Sequence, residues 1–158
     1  MDKERYELHQ EPNGFSEDLI ESIEQKQMKT NKINGVVILI LDEIERQDAK
    51  WGMQSHPFVC QTLTKKGASI ERIAEEYEIP TPNRAKQLCE INDKRGTLTW
   101  LHILQEEVSE AMESKSVQGK KEELIQVAAV CIRAIMDIDK RASEEMSLEK
   151  EIYNRKAL

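Results

Sequence analysis

Residues 98–138, LTWLHILQEEVSEAMESKSVQGKKEELIQVAAVCIRAIMDI, decide the fold. From Leu98, apolar side chains return at Leu101, Leu104, Val108, Ala111 and Met112; from Leu124 they return at Val127, Ala128, Cys131, Ala134, Ile135 and Ile138. Steps of three and four place one face of each segment against a core, which is the signature of an amphipathic helix. The polar stretch between them, Ser114 to Gly119, has room only for a tight connection, so the two helices are antiparallel neighbours.

The rest of the chain supports an all-α reading: an antiparallel helical hairpin core with accessory helices. Only six glycines and four prolines interrupt 158 residues, and alternating β-branched runs are scarce. Ser16 followed by Glu17 and Asp18 reads as an N-cap with an acidic first turn, opening a polar helix toward Lys32. Residues 1–14 carry no periodic apolar pattern. Asn34-Gly35 is a turn signal, and a second helix is expected from Val36 to Lys50. The stretch Trp51 to Pro57 breaks it, a third segment runs from Ser69 to Glu78, and the prolines at 80 and 82 stop any helix there. A short helix follows from Asn83 to Asn92, closed by Gly96.

Composition excludes several functions. The longest apolar run, Val36 to Leu41, is far below the roughly 20 residues a bilayer demands, so no membrane partner is expected. The mixed-charge start, Met1 to Arg5, does not read as a signal peptide, and a cytoplasmic protein is the expectation. A net charge of −7 repels phosphate backbones, and aromatics at 4% leave few stacking platforms, so no stable nucleic-acid complex is expected. Cys60, Cys89 and Cys131 are widely spaced with no CxxC pair, and read as reduced, mostly buried thiols.

The chemistry concentrates on the hairpin. Glu106, Glu107 and Glu110 form an EExxE pattern, in which Glu106 and Glu107 lie about 40° and 60° from Glu110 on a helical wheel. Glu122, Glu123 and Gln126 repeat the spacing on the second helix with an amide in the last place. Like charges one turn apart destabilise a helix by roughly 0.2–0.5 kcal/mol per pair. A hard divalent cation with oxygen ligands, Mg²⁺ above all, reverses that penalty. A chain with 30 acids also builds such clusters as plain solvated faces. Against this, Glu107 and Glu110 border the apolar stripe, and no lysine lies one turn away within their helix. Glu122 and Glu123 follow Lys120 and Lys121 and also suit a first helical turn.

These segments resemble the MazG-like all-α nucleoside triphosphate pyrophosphohydrolases, whose hallmark is EExxE, a gap, then ExxD. Glu106 to Glu110 match the first half and Glu123 to Gln126 the second. One subgroup is similar over a longer ordered set: Gln47 to Gly52, His56-Pro57, Thr97 to Trp100, and Glu123 to Val130. The resemblance covers about residues 43–141 and departs at Gln126, where the broader family has Asp. An amide there brings no charge, which implies weaker or fewer bound ions.

The resemblance implies Mg²⁺-assisted attack of water on the α-phosphorus of a nucleotide substrate, releasing a monophosphate and pyrophosphate. Glu107, Glu110 and Glu123 would be the metal ligands, Glu106 a ligand or general base, and Gln126 a ligand or water-positioner. Lys50, Lys120 and Lys121 would face the polyphosphate, and Trp51 would stack on the base, with Trp100 a core residue. His102, one turn before Glu106, reads as a surface histidine. Residues 1–35 then form a polar N-terminal segment, 36–142 the MazG-like domain and 143–158 a polar C-terminal helix. The uncovered apolar stripe, together with the resemblance, implies a homodimer or homotetramer whose second hairpin completes a four-helix bundle. Two other classes compete. One is a non-catalytic helical interaction protein. The other is a helix-turn-helix regulator, suggested by the cadence from Gly67 to Ile79 but short of bases in its recognition segment, Thr81 to Glu90.

Overall fold

The computed structural model describes residues 16–156, and among them every regular element is a helix. In chain order these are α1 (Glu17–Trp51), α2 (Gln61–Lys65), α3 (Ile70–Tyr77), α4 (Pro82–Lys94), α5 (Trp100–Glu113) and α6 (Val117–Lys156). The expected loose segment, residues 1–14, lies outside the described range.

α1 begins as its sequence dictates. The Ser16 hydroxyl accepts from the Leu19 N–H at 3.4 Å, and Glu17 and Asp18 occupy the positive end of the helix dipole. The expected turn at Asn34-Gly35 does not form, and α1 continues unbroken for 35 residues. One exposed mid-helix glycine costs about 1 kcal/mol, and the apolar run that follows outweighs it by burying Val36 against the rest of the fold. The helix stops at Gly52, whose φ of 71° only glycine adopts easily and whose N–H donates to the Asp48 carbonyl at 2.8 Å.

α2 is five residues long and carries no periodic signal. It is held by a small core of Val59, Ile73, Ala74 and Met112, with Leu63, Ala68, Ile70 and Ile79 packed around it. The Tyr77 hydroxyl accepts from the Cys60 N–H at 2.7 Å and ties the start of α2 to the end of α3. Pro80 separates α3 from α4, whereas Pro82 starts α4: a proline at the first helical position loses no intrahelical bond. Thr81 caps the same end by accepting from the Arg84 N–H.

The hairpin itself forms as expected. Its connection is shorter than Ser114 to Gly119, because α6 already begins at Val117. α5 and α6 pack most intimately, α4 lies along the other side of α5, α3 touches α5, and α1 lies against α6. α6 then runs on as one 40-residue helix, roughly 60 Å long, into the polar stretch beyond residue 142. No helix of the described residues is long and apolar enough to cross a membrane.

Candidate metal centre

α5 is fixed at its start by a reciprocal cap: Thr99 and His102 satisfy each other's end of the first turn, with the Thr99 N–H donating to His102 Nδ1 at 3.2 Å. His102 is therefore a capping residue and does not pair with Glu106. Trp100, half-buried, donates from Nε1 to Asp137 Oδ2 at 2.9 Å and clamps α5 to α6. That bond, with Arg141 one turn on, holds the Asp137 carboxyl below its usual range. Ser109, fully buried, donates to the Glu106 carbonyl at 2.7 Å, so the helix can lie close to its neighbours at this level.

Glu107 and Glu110 of α5 and Glu123 of α6 converge, each offering a carboxylate oxygen within 4.8 Å of the other two. All three are half-buried. Desolvation, then the charges of Glu110, Glu106 and Glu123, raise the Glu107 carboxyl above its ordinary value. Desolvation, then Glu123 and Glu106, raise Glu110 as well. Glu107 Oε2 is buried with no hydrogen-bond partner in the structure. Three convergent carboxylates, one of which also carries a buried, unpartnered oxygen, make a donor set that could hold a hard cation such as Mg²⁺, so these residues fit that ion.

Glu106 and Gln126 sit beside the three carboxylates. Glu106 acts electrostatically on both Glu107 and Glu110. The Gln126 amide Nε2 donates to Glu123 Oε2 at 2.6 Å, so the amide orients the Glu123 carboxylate rather than presenting its own oxygen alone. Glu122 turns elsewhere and accepts from Gln118 Nε2 at 2.7 Å.

Two residues of α4 join the site unforeseen. Lys86 lies near enough to Glu110 to offset part of the rise in its proton affinity. Cys89, half-buried rather than buried, is hydrogen-bonded to Glu106, and burial followed by that bond pushes its thiol up to about 12. Their spacing with buried Ala85 puts Lys86 and Cys89 toward one side of α4, but only the packing of α4 on α5 could identify which side faces the acids. Cys60 is exposed and Cys131 half-buried, so none of the three thiols is fully buried as expected.

The candidate substrate lysines and Trp51 are placed differently. Lys50 and Trp51 end α1, with Lys50 Nζ 4.5 Å from the Trp51 ring centroid, and no hydrogen bond or ion pair among the described residues joins them to the acids. Lys120 and Lys121 line a shallow groove with Val117, Leu124, Ile125 and Ala128. Lys121 lies about 160° round the helix from Glu123, so within one chain it faces away from the carboxylates. A larger groove of about 840 Å³ between α1 and α6, lined by Val36, Leu39 and Met136 among others, is separate from the acids.

Compared with known protein families, curated proteins and solved structures, the chain matches none.

Proposed function

We propose that this chain is a Mg²⁺-dependent nucleotide pyrophosphohydrolase of the MazG-like kind. The observation that carries the reading is the convergence of Glu107, Glu110 and Glu123 from two helices, with Glu107 Oε2 buried and unpartnered. Apo, such a site stores like-charge repulsion, which a structural protein has no reason to keep half-buried.

Glu107, Glu110 and Glu123 would hold the ion, which when bound neutralises phosphate oxygens and makes a water more acidic. Glu106 accepts a proton from the attacking water. The water oxygen bonds to the α-phosphorus, the bond from that phosphorus to the bridging oxygen of the β-phosphate breaks, and pyrophosphate leaves. Gln126 holds Glu123 in its ligating orientation. Cys89, kept protonated, donates to Glu106 and restrains its rotation. Lys86, whose charge acts on Glu110, joins Lys50, Lys120 and Lys121 as a candidate for the polyphosphate. The position of α4 supports this over the DNA-binding reading, because the would-be recognition helix is packed on α5 with Ala85 buried.

The test is to incubate the full chain with a panel of nucleoside tri- and diphosphates and Mg²⁺ and identify the products by chromatography. A monophosphate plus pyrophosphate is expected from at least one triphosphate. Failure to turn over any nucleotide, with no Mg²⁺ effect on melting, overturns the proposal in favour of a non-catalytic helical protein.

A further inference from the structure

We propose that the pocket walled by Trp100 between α1 and α6 is a binding site for a small aromatic anion, a flat ring that carries a phosphate or a carboxylate. This inference does not rest on the hydrolase reading. The pocket encloses about 310 Å³, at the small end of ligand sites, and Ile33, Ile132 and Met136 line it together with the indole. Trp100 is a fixed wall. Its Nε1 already donates to Asp137 at 2.9 Å, so the polar edge is satisfied and the carbon surface of the ring is what remains for the pocket. That surface, flanked by aliphatic and thioether side chains, favours another aromatic ring.

Charge sets the sign of the ligand. Lys29 and Arg133 complete the lining, and no acid contributes to it. The pattern extends past the pocket itself. Every wall comes from one of three stretches: residues 25–41 of α1, which carry Lys26, Lys29 and Lys32; residues 98–105, which carry no Lys or Arg; and residues 126–136 of α6, which carry Arg133. None of the three contains an aspartate or a glutamate. In a chain of net charge −7 with 30 acids, these cations make a local field of the opposite sign, which draws anions to the pocket mouth. Asp137, the first acid beyond them on α6, is already paired, with Arg141 at 2.8 Å and Trp100. Among the described residues no ion pair occupies Lys29 or Arg133. Arg133 offers a planar fork that matches a phosphate or carboxylate.

This pocket is distinct from the metal centre. None of Glu106, Glu107, Glu110, Glu123 and Gln126 lines it. On α6, Arg133 lies about 15 Å beyond Glu123 along the axis and about 80° round it.

The test uses Trp100 as its own reporter. Trp51→Phe leaves it the sole tryptophan of the full chain. With EDTA present, so that no ion at the glutamates recruits phosphate, indole emission is followed while adenosine monophosphate or naphthoate is added. Saturable quenching with a Kd below about 1 mM is expected for at least one of them. Tighter binding of the monophosphate assigns the site to nucleotides, and tighter binding of naphthoate assigns it to aromatic acids. The uncharged counterparts, adenosine and naphthamide, should bind about 10-fold more weakly or worse, because they lack the charge-assisted hydrogen bonds. The double variant Lys29→Gln, Arg133→Gln replaces two exposed side chains and should weaken the anion by a similar factor, whereas Glu110→Gln should leave its Kd unchanged. No saturable quenching by either anion overturns the proposal. So does equal affinity for an anion and its uncharged counterpart, a comparison that needs neither the double variant nor Glu110→Gln to fold. A Kd that the double variant leaves alone while circular dichroism stays helical, or one that Glu110→Gln shifts, also overturns it.

Discussion

The stretch from His102 to Met112 and the distal arms of the two long helices are built on opposite terms. Along α5 every side chain in that stretch is buried or half-buried, and α3, α4 and α6 all touch the helix. In the arms, every described residue from 16 to 32 and from 138 to 155 is exposed. The arms have caps and local pairs, such as Gln25 to Glu21 at 3.0 Å and Lys140 to Glu144 at 3.6 Å, each worth only a few tenths of a kcal/mol. Helices in water are marginal on such terms. The half-buried stretch spends its packing on holding acids together against their repulsion, while the arms hold apolar stripes open. One region gathers like charge under partial burial, the other leaves apolar side chains in solvent.

The sharpest way to break this contrast is to remove one carboxylate from each region. Glu110→Gln should lower nucleotide hydrolysis by at least about 100-fold, because the proposed site would lose one of its three ligand charges. Glu151→Gln, an equivalent change in the distal arm, should leave turnover unchanged. Steady-state rates at saturating Mg²⁺ decide it: equal rates for both variants would reduce the convergent glutamates to a solvated face.

A smaller effect is expected at Gln126, where the structure alters the argument made from spacing. Gln126→Asp removes the donor that reaches Glu123 at 2.6 Å and adds a like charge beside it. The apo protein should lose about 1 kcal/mol, read as a fall in Tm of roughly 2–4 °C for a chain of this size. Adding Mg²⁺ should more than restore it, since a fourth carboxylate near a cation is a large electrostatic gain. A Tm that shifts neither with nor without Mg²⁺ would separate Gln126 from the metal site.

The raised carboxyls give a pH signature of similar or smaller size. A carboxyl whose folded value lies above its ordinary 4.5, as at Glu107, favours the folded state below that ordinary value and loses the advantage as pH rises through the folded value. Glu107→Gln escapes this loss. Without metal, urea titrations should therefore show the variant gaining on the unaltered protein as pH rises above the ordinary value of 4.5. A gap that stays flat as pH rises would mean Glu107 feels neither burial nor its neighbours.

How much of this was legible in the sequence follows from the range of each cause. The hairpin is written in steps of three and four, and the shared face of Glu107 and Glu110 in their i,i+3 spacing, because helical periodicity is local; Glu123 is set apart from Glu122 only by the family resemblance. Lys86 and Cys89 were not legible as site residues, since their roles depend on how α4 lies on α5. α2 gave no signal because tertiary contacts around Val59 and Ile73 hold its five residues. The continuity of α1 was misread for the opposite reason: Asn34-Gly35 is strong turn chemistry, overruled by the burial of Val36 immediately after it. Likewise the polar stretch after residue 142 is helical as expected, but as the continuation of α6.

That overruling leaves a measurable trace, the smallest of these effects. Gly35 lies inside α1 with no atom within 4 Å of where a Cβ would stand, and its φ is ordinary for a helix. If α1 is continuous, Gly35→Ala fills open space, restricts the unfolded chain and raises helix propensity, so it should stabilise the protein by about 0.5 kcal/mol. If instead the chain turns at Asn34-Gly35, glycine is there for its left-handed conformation and alanine should destabilise by a similar or larger amount. The sign of the change in a urea titration therefore distinguishes one long helix from two, and with it whether residues 17–35 extend as an arm from the packed part of the molecule. Activity should not change in either case, because the three convergent glutamates lie on α5 and α6, and Gly35 lies about four helical turns before Lys50 and Trp51.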